Sequence, residues 1–277
     1  MIVNAVVKGG GGDDGITRFS FDGLCEIDNN ILRIKTSGTL ILHQSVLVDL
    51  FLCGGGAGGG QGYSKPKYSG SSATNRSGGH GGGGGHTFTQ KKLELQKGTE
   101  YLATIGAGGA SKKNGGDTSF LQYTATGGVA GGSAQTSYSS GTFTFPAGSS
   151  GGSGGGTGAV YYVYSDGDID NYAATAGGTD GGNGGKSSKY NAQGIGQGTT
   201  TREFGDADGI LYSTGGAGGA YNDNTYDAAA DNTGNGGRGG GGNAGNTGNG
   251  VYTAGAAGGS GIISIRFPEG TELAQVA

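Results

Sequence analysis

The stretch GGRGGGGNAGNTG, residues 236–248, puts Gly236, Gly239, Gly242, Gly245 and Gly248 one residue in three. The period continues at Gly255, Gly258 and Gly261, and shorter runs share it: Gly56, Gly59 and Gly62, then Gly152, Gly155 and Gly158. GGNGGK at 181–186 and GGAGGA at 215–220 are clean GGX pairs. A period of three belongs to the left-handed polyproline II geometry, with three residues per turn and a rise of ~3.1 Å. Glycine on two of the three faces lets such helices touch backbone to backbone. Their amides and carbonyls lack internal partners, so neighbouring helices must supply them. The residues at the third position, Asn183, Lys186, Arg238, Asn243, Asn246 and Asn249, are expected at solvent or at the edge of a bundle. The competing reading is a flexible glycine linker. A linker needs no phase, and the phase argues for order.

Composition sharpens that choice. Glycine supplies 71 of 277 residues, and the 3 prolines leave no collagen-type repeat. Ordering each glycine costs roughly 0.5–1 kcal/mol more than ordering alanine, on the order of 35–70 kcal/mol over the chain. The chain is therefore disordered or builds something only glycine permits. Hydrophobic residues are 32%, low for one large core. With 14 Tyr and no Trp, much of the aromatic surface carries a hydroxyl and can sit half exposed. The net charge is −4 and no basic run exceeds two residues, which argues against nucleic acid as a partner. Residues 2–7 are too short for a signal-peptide core and have no basic start. No apolar run approaches the ~20 residues of a membrane span. Synthesis in a cytosol without a signal peptide, and no membrane insertion, are the expectations. Cys25 and Cys53 give no disulfide framework and read as two buried small hydrophobes.

Between the glycine runs lie short β-type segments. Residues 1–7, 17–21, 31–35, 39–42, 118–126, 142–145, 160–164, 210–212 and 262–267 are strand candidates, the last on Ile262, Ile263 and Ile265. Gly38 is expected to turn the chain between 31–35 and 39–42. Residues 45–52 are mostly apolar and suit a strand buried on both faces. Residues 86–95 alternate better, and Lys97 and Gly98 are expected to turn them into a hairpin with 101–105. No segment holds a 3.6-residue apolar period. Several glycine runs exceed the 2–5 residues of hairpin loops. The expected fold is all-β: a small, jelly-roll-like β-sandwich with an inserted bundle of polyglycine II helices and little or no α-helix. Its plan is a single glycine-rich domain over 1–277, with N-terminal strands in 1–53, polyglycine segments and loops in 54–261, and a closing strand and tail in 262–277.

Motifs of catalysis and ligation fail on context. GGSGG at 151–155 formally matches G-x-S-x-G, but a nucleophile elbow needs a strand before it and a helix after it. DGGNGGKS at 180–187 resembles a phosphate-binding loop, with Asp180 where glycine belongs and no helix following. Asp166, Asp168 and Asp170 imitate the opening of a calcium loop, but Asn171 and Gly177 stand where glycine and a bidentate glutamate are required. His43, His80 and His86 have no metal spacing, and His80 and His86, flanking a glycine run, are expected to be exposed. The acids are scattered in loops, so paired carboxylates for a hydrolase are not found. No enzyme activity, cofactor or metal is expected.

SVLVDLFLCGGGAGGG at 45–60, followed by TFTQKKLELQKGTEYLATIGA at 87–107, resembles the glycine-rich domain common in tail-associated proteins of phages and prophages of Gram-positive bacteria. VNAVVK at 3–8, GTTTREFG at 198–205 and GSGIISIRF at 259–267 are similar to blocks of that family and sit in its order. The glycine runs here are shorter and more interrupted than is usual for it. In architecture the chain also resembles polyglycine adhesins at phage fibre tips, whose variable loops meet the host receptor. The resemblance implies a virion protein of the tail fibre or baseplate, in contact with other virion proteins and with further copies of itself. It also implies a receptor-binding role toward a bacterial surface glycan or protein. The residues that suit such a role are Tyr63, Tyr68, Tyr161, Tyr162, Tyr164, Tyr190, Tyr221, Asn222, Asn224 and Tyr226, since tyrosine and asparagine supply rigid contact area and adaptable hydrogen bonds. The alternative is a purely structural virion protein of the collar, tail tip or capsid surface.

Overall fold

The computed structural model describes residues 15–66, 74–134, 152–163, 169–172, 176–182, 184, 201–220, 228–242 and 251–276. Among these residues the chain is all-β, with strands in three sheets and no α-helix. Strands are numbered in chain order. The first sheet runs β11 (Tyr123–Ala125), β10 (Thr118–Phe120), β9 (Glu100–Thr104), β4 (Gly38–Leu42), β1 (Ile16–Phe21), β16 (Glu272–Gln275). The second runs β2 (Cys25–Asp28), β3 (Ile31–Ile34), β15 (Ile262–Arg266), β5 (Val46–Cys53), β8 (Thr87–Leu95). Side chains alternate along each strand, so β1 turns Thr17, Phe19 and Phe21 inward. Phe19, Leu40, Leu42 and Phe120 of the first sheet meet Leu32, Ile34, Leu50 and Ile265 of the second in one buried core. This is a small β-sandwich.

One expected hairpin and one expected turn do not form. β8 pairs with β5 in the second sheet, while the chain crosses at Lys97 and Gly98 to set β9 beside β4 in the first. β3 and β4 likewise belong to opposite sheets, so Gly38 opens a strand instead of making a turn. Apolar alternation marks which side chains face a core, and it does not mark which wall of that core a strand joins. The second half of β5 is buried on both faces because residues 201–213 cover its outer side with Phe204 and Tyr212. Its first half is not: Leu47 is 55% exposed.

The third sheet, β13 (Ile169–Tyr172), β12 (Val160–Val163), β7 (Thr74–Ser77), β6 (Gly62–Pro66), β14 (Val251–Thr253), lies at the far end of the glycine segments. Residues 54–61 carry the chain from β5 out to β6. Residues 78–86 return it from β7 to β8, and 254–261 return it from β14 to β15.

These segments are polyglycine rods, and 54–61 is the central one. Its amides address three neighbours in strict rotation. Gly54, Ala57 and Gly60 donate to His86, Gly83 and His80; Gly55 and Gly58 donate to Gly116 and Lys113; Gly56 and Gly59 donate to Gly259 and Ala256, all at 2.8–3.0 Å. Its carbonyls address three others. Gly55 and Gly58 accept from Gly128 and Gly131, Gly56 and Gly59 from Gly109 and Lys112, Ala57 and Gly60 from Gly237 and Gly240. The donor-side neighbours run antiparallel to it and the acceptor-side neighbours run parallel. A Cβ on Gly58 would meet the Ala110 carbonyl oxygen at 1.9 Å, and one on Gly59 that of Arg238 at 2.0 Å. Ala57 is fully buried in the row of Gly54 and Gly60, so one methyl does fit there.

Gly236, Gly239 and Gly242, the phase of the opening stretch, donate in turn to Thr214, Ala217 and Ala220 at 2.8–2.9 Å. A Cβ on Gly236 would meet the Gly82 carbonyl oxygen, and one on Gly239 that of Gly79, both at 2.0 Å. Gly245 and Gly248 lie outside the described residues. Arg238 is half-buried at the bundle edge.

A rod slid by three residues, about 9 Å, would remake every backbone bond of this kind. Side chains break that degeneracy. Asn114 and Asp117 accept from the amides of Ala130 and Gly127 at 2.9 Å, spaced three apart like a missing rod. Asn235 accepts from Thr214 N at 2.8 Å, Ser153 from Gly181 N at 3.1 Å, and Thr118 from Gly106 N at 3.0 Å. Asn232 ties the 228–242 segment to the sandwich through Lys35 O at 2.7 Å.

His80 is not exposed as expected. It is 1% exposed, because the rods around it exclude water as well as a core does. Burial lowers its pKa to about 4. A folded value below the unfolded one of ~6.5 gives stability that is complete above ~6.5 and is lost as the pH falls toward 4. Urea titrations should show roughly 3 kcal/mol more loss between pH 6.5 and 4 in the parent than in His80→Gln. Equal losses would contradict the buried neutral imidazole. For the rods, Gly59→Ala should lower unfolding free energy by about 2–3 kcal/mol through overpacking, while Ala254→Ser, at an exposed rod position, should stay within about 0.5 kcal/mol. Equal denaturation midpoints for the two variants would contradict the lattice.

Candidate functional site

Two places gather side chains beyond what the core needs: the far sheet, and a clasp on the outer face of the sandwich. In the far sheet, β6 pairs with β7 and with β14, so Tyr63 stands opposite Ser77 on one side and Tyr252 on the other. The two tyrosine rings lie 5.0 Å apart at 51°. Tyr63 is 7% exposed and Tyr252 is 52% exposed. Burial, and then Tyr252, push the Tyr63 hydroxyl above its ordinary pKa. Tyr63 is therefore the support and Tyr252 the presented face. Tyr252 gave no signal in the sequence, because a three-residue strand between glycine runs is too short to show a pattern.

The backbone of β12 sets Tyr161 opposite Arg76 and Asn171, and Tyr162 opposite Asp170. Tyr68, Tyr164, Tyr190, Tyr221, Asn222, Asn224 and Tyr226 lie outside the described residues. Their attachment points are described. Tyr68 belongs to the connection from β6 to β7 and Tyr164 to that from β12 to β13, both within the far sheet. Residues 221–227 follow Ala220, which accepts from Gly242, and the adjacent Gly241 borders Gly62 at the start of β6. Tyr190 falls between Gly184 in the rods and Thr201 at the sandwich.

The clasp is built by residues 201–213. Arg202 bridges Leu211, and Phe204 takes φ +57, a left-handed conformation unusual for an aromatic residue. That turn drives Glu203 into the outer face of the second sheet. There Arg33 grips it with both prongs, Nε to Oε1 at 2.9 Å and Nη2 to Oε2 at 2.8 Å, and Ser264 Oγ donates to Oε1 at 2.6 Å. Glu203 is 3% exposed and Arg33 is 8% exposed. Hydrogen bonding to Glu203 raises the Arg33 pKa further above its ordinary value. Alongside, Arg266 pairs with Asp49 and Asp206 and lies 4.3 Å above the Phe204 ring. Phe204 and Tyr212 pack on Phe51. Tyr212 leads directly to the rod at 213–220. The clasp fixes the root of that rod. Cys53 is fully buried beside it, its thiol pKa raised by burial, whereas Cys25 is only half-buried. No group of His, Cys, Asp and Glu among the described residues could hold a metal ion.

A family model described as a glycine-rich domain matches residues 35–268. No match is found among curated proteins. The matched span takes in residues 201–213, the described rods and the third sheet, and begins just after Arg33. Arg33 Nη1 also pairs with Asp28 at 2.8 Å. Glu203→Leu, which removes the two bonds to Arg33 and the acceptor of Ser264, should therefore cost about 3 kcal/mol, while the double change Arg33→Met with Glu203→Leu should cost less than the sum of the two single changes. A double-mutant cycle by urea denaturation measures this, and additive losses would contradict the coupling.

Proposed function

The chain belongs to the glycine-rich domain family, and on that premise we propose that it is a phage virion protein of the tail fibre or baseplate that presents its tyrosine- and asparagine-rich connections to a host receptor. The observation that carries this reading is the attachment of those connections. The segments bearing Tyr68 and Tyr164, and the start of the one bearing Tyr221 and Asn222, leave the chain at the far end of the rods from the sandwich. A rod of eight residues holds that end about 25 Å beyond β5. Its satisfied backbone bonds make it a stiff spacer where a glycine linker would be slack. Tyrosine then adds contact area at low entropic cost. The likeness of residues 45–60, 87–107, 198–205 and 259–267 to phage tail-associated proteins supplies the virion context.

Immunogold electron microscopy with an antibody to the chain should label fibre tips or baseplates. Particles carrying Tyr68→Ala, Tyr164→Ala and Tyr221→Ala together should assemble normally, melt like the parent protein and lose adsorption to host cells. Label on the collar or capsid, or undiminished adsorption by the triple variant, would favour the purely structural reading. Absence of label from every particle would overturn the virion assignment.

A further inference from the structure

We propose that Tyr252 is the stacking platform of a carbohydrate site, so that the receptor of the far sheet is a glycan; this rests on the receptor-binding reading above and names its partner class. Tyr252 lies on β14, the edge strand of its sheet, with 52% of its surface open and its ring braced on the buried Tyr63. An exposed aromatic with no backing swings freely. One braced by a second ring keeps a fixed face, and that face carries the negative side of the ring quadrupole. The C–H face of a pyranose is its complement.

The turn beside these strand ends is polar and held in place. The turn at Ser111 and Lys112 is seated where the 54–61 rod becomes β6 and the 254–261 rod leaves β14. Lys112 N donates to Gly59 O at 3.0 Å, Ser111 Oγ donates to the same oxygen at 3.2 Å, and Gly255 N donates to Ser111 Oγ at 2.9 Å. From that turn the Lys112 ammonium reaches Gln61 Oε1 at 3.2 Å. Gln61 is two residues from Tyr63, and Gly255 is three from Tyr252. Gln61 and Lys112 thus sit at the rod ends that run into Tyr63 and Tyr252, and an amide and an ammonium placed near an exposed ring match a sugar's apolar face and its rim of hydroxyls. Two recesses, one lined by Asp49, Lys92 and Arg266 and one by Phe21, Thr39 and Gln275, lie on the sandwich, away from β14. The platform is open, which suits one unit of a surface polysaccharide more than an enclosed small molecule.

The test uses the full chain, fluorescently labelled, binding to host cells that are untreated, periodate-oxidised or protease-treated. Periodate should abolish binding and protease should spare it. Tyr252→Ala should weaken binding about ten-fold, Tyr252→Phe should stay near the parent, and Gln61→Ala should weaken it several-fold, all with parental melting temperatures. Binding that survives periodate, or a Tyr252→Ala variant that binds like the parent, overturns the glycan assignment. Loss to protease with resistance to periodate leaves the receptor-binding reading standing and identifies a protein receptor instead. Absence of binding to untreated cells overturns both.

Discussion

Every amide from Gly54 to Gly60 and every carbonyl from Gly55 to Gly60 is spent on a neighbouring rod. A polyglycine helix has no bonds of its own, so it exists only when others surround it on all sides. The central rod meets that demand with antiparallel donors' partners at 78–86, 113–117 and 254–261, and parallel partners at 106–112, 126–134 and 234–242. Contacts this close leave oxygen atoms about where a Cβ would sit, at 1.9–2.3 Å for the glycines of that rod. The glycine content of the chain follows from this geometry. A lattice of backbones replaces side-chain packing through the middle of the protein, and the apolar residues are concentrated in the sandwich.

A lattice with a three-residue repeat does not choose its own register. The sandwich and the side chains at rod ends choose it. β5, β8 and β15 are neighbours in one sheet, so the rods that continue from them start in fixed positions. Glu203 and Arg33 fix the root of the 213–220 rod on the same sheet. Asn114, Asp117, Ser153 and Asn235 then mark particular rungs. A buried ion pair is a costly way to gain stability and a good way to specify one arrangement among similar ones.

How much of this the sequence discloses depends on the physics of each part. The rods are legible because only glycine tolerates the approach, and the phase of Gly236, Gly239 and Gly242 is that of their hydrogen bonds to one neighbour. The strand at 262–267 is legible from its β-branched run. Sheet membership is not, as β8 and β9 show, because alternation is a local signal and pairing is a distant one. Arg33 and Glu203 are 170 residues apart, and only the likeness of GTTTREFG to a family block pointed to the second. His80 misleads for an instructive reason. Glycine flanks ordinarily mean a loop and exposure, yet in this protein the glycine runs are among the most deeply buried segments. At the far sheet, Tyr63 stands out in the sequence beside a glycine run, but the exposed ring is its partner Tyr252.

Residue-resolved amide hydrogen exchange tests the lattice most directly. Slow exchange should extend without a gap from Gly54 to Gly60, including glycines that exchange fast when unprotected. In the outer rod at 106–110 it should be confined to Gly106 and Gly109, the amides that donate there. Fast exchange throughout 54–60, as in a flexible linker, would contradict the account.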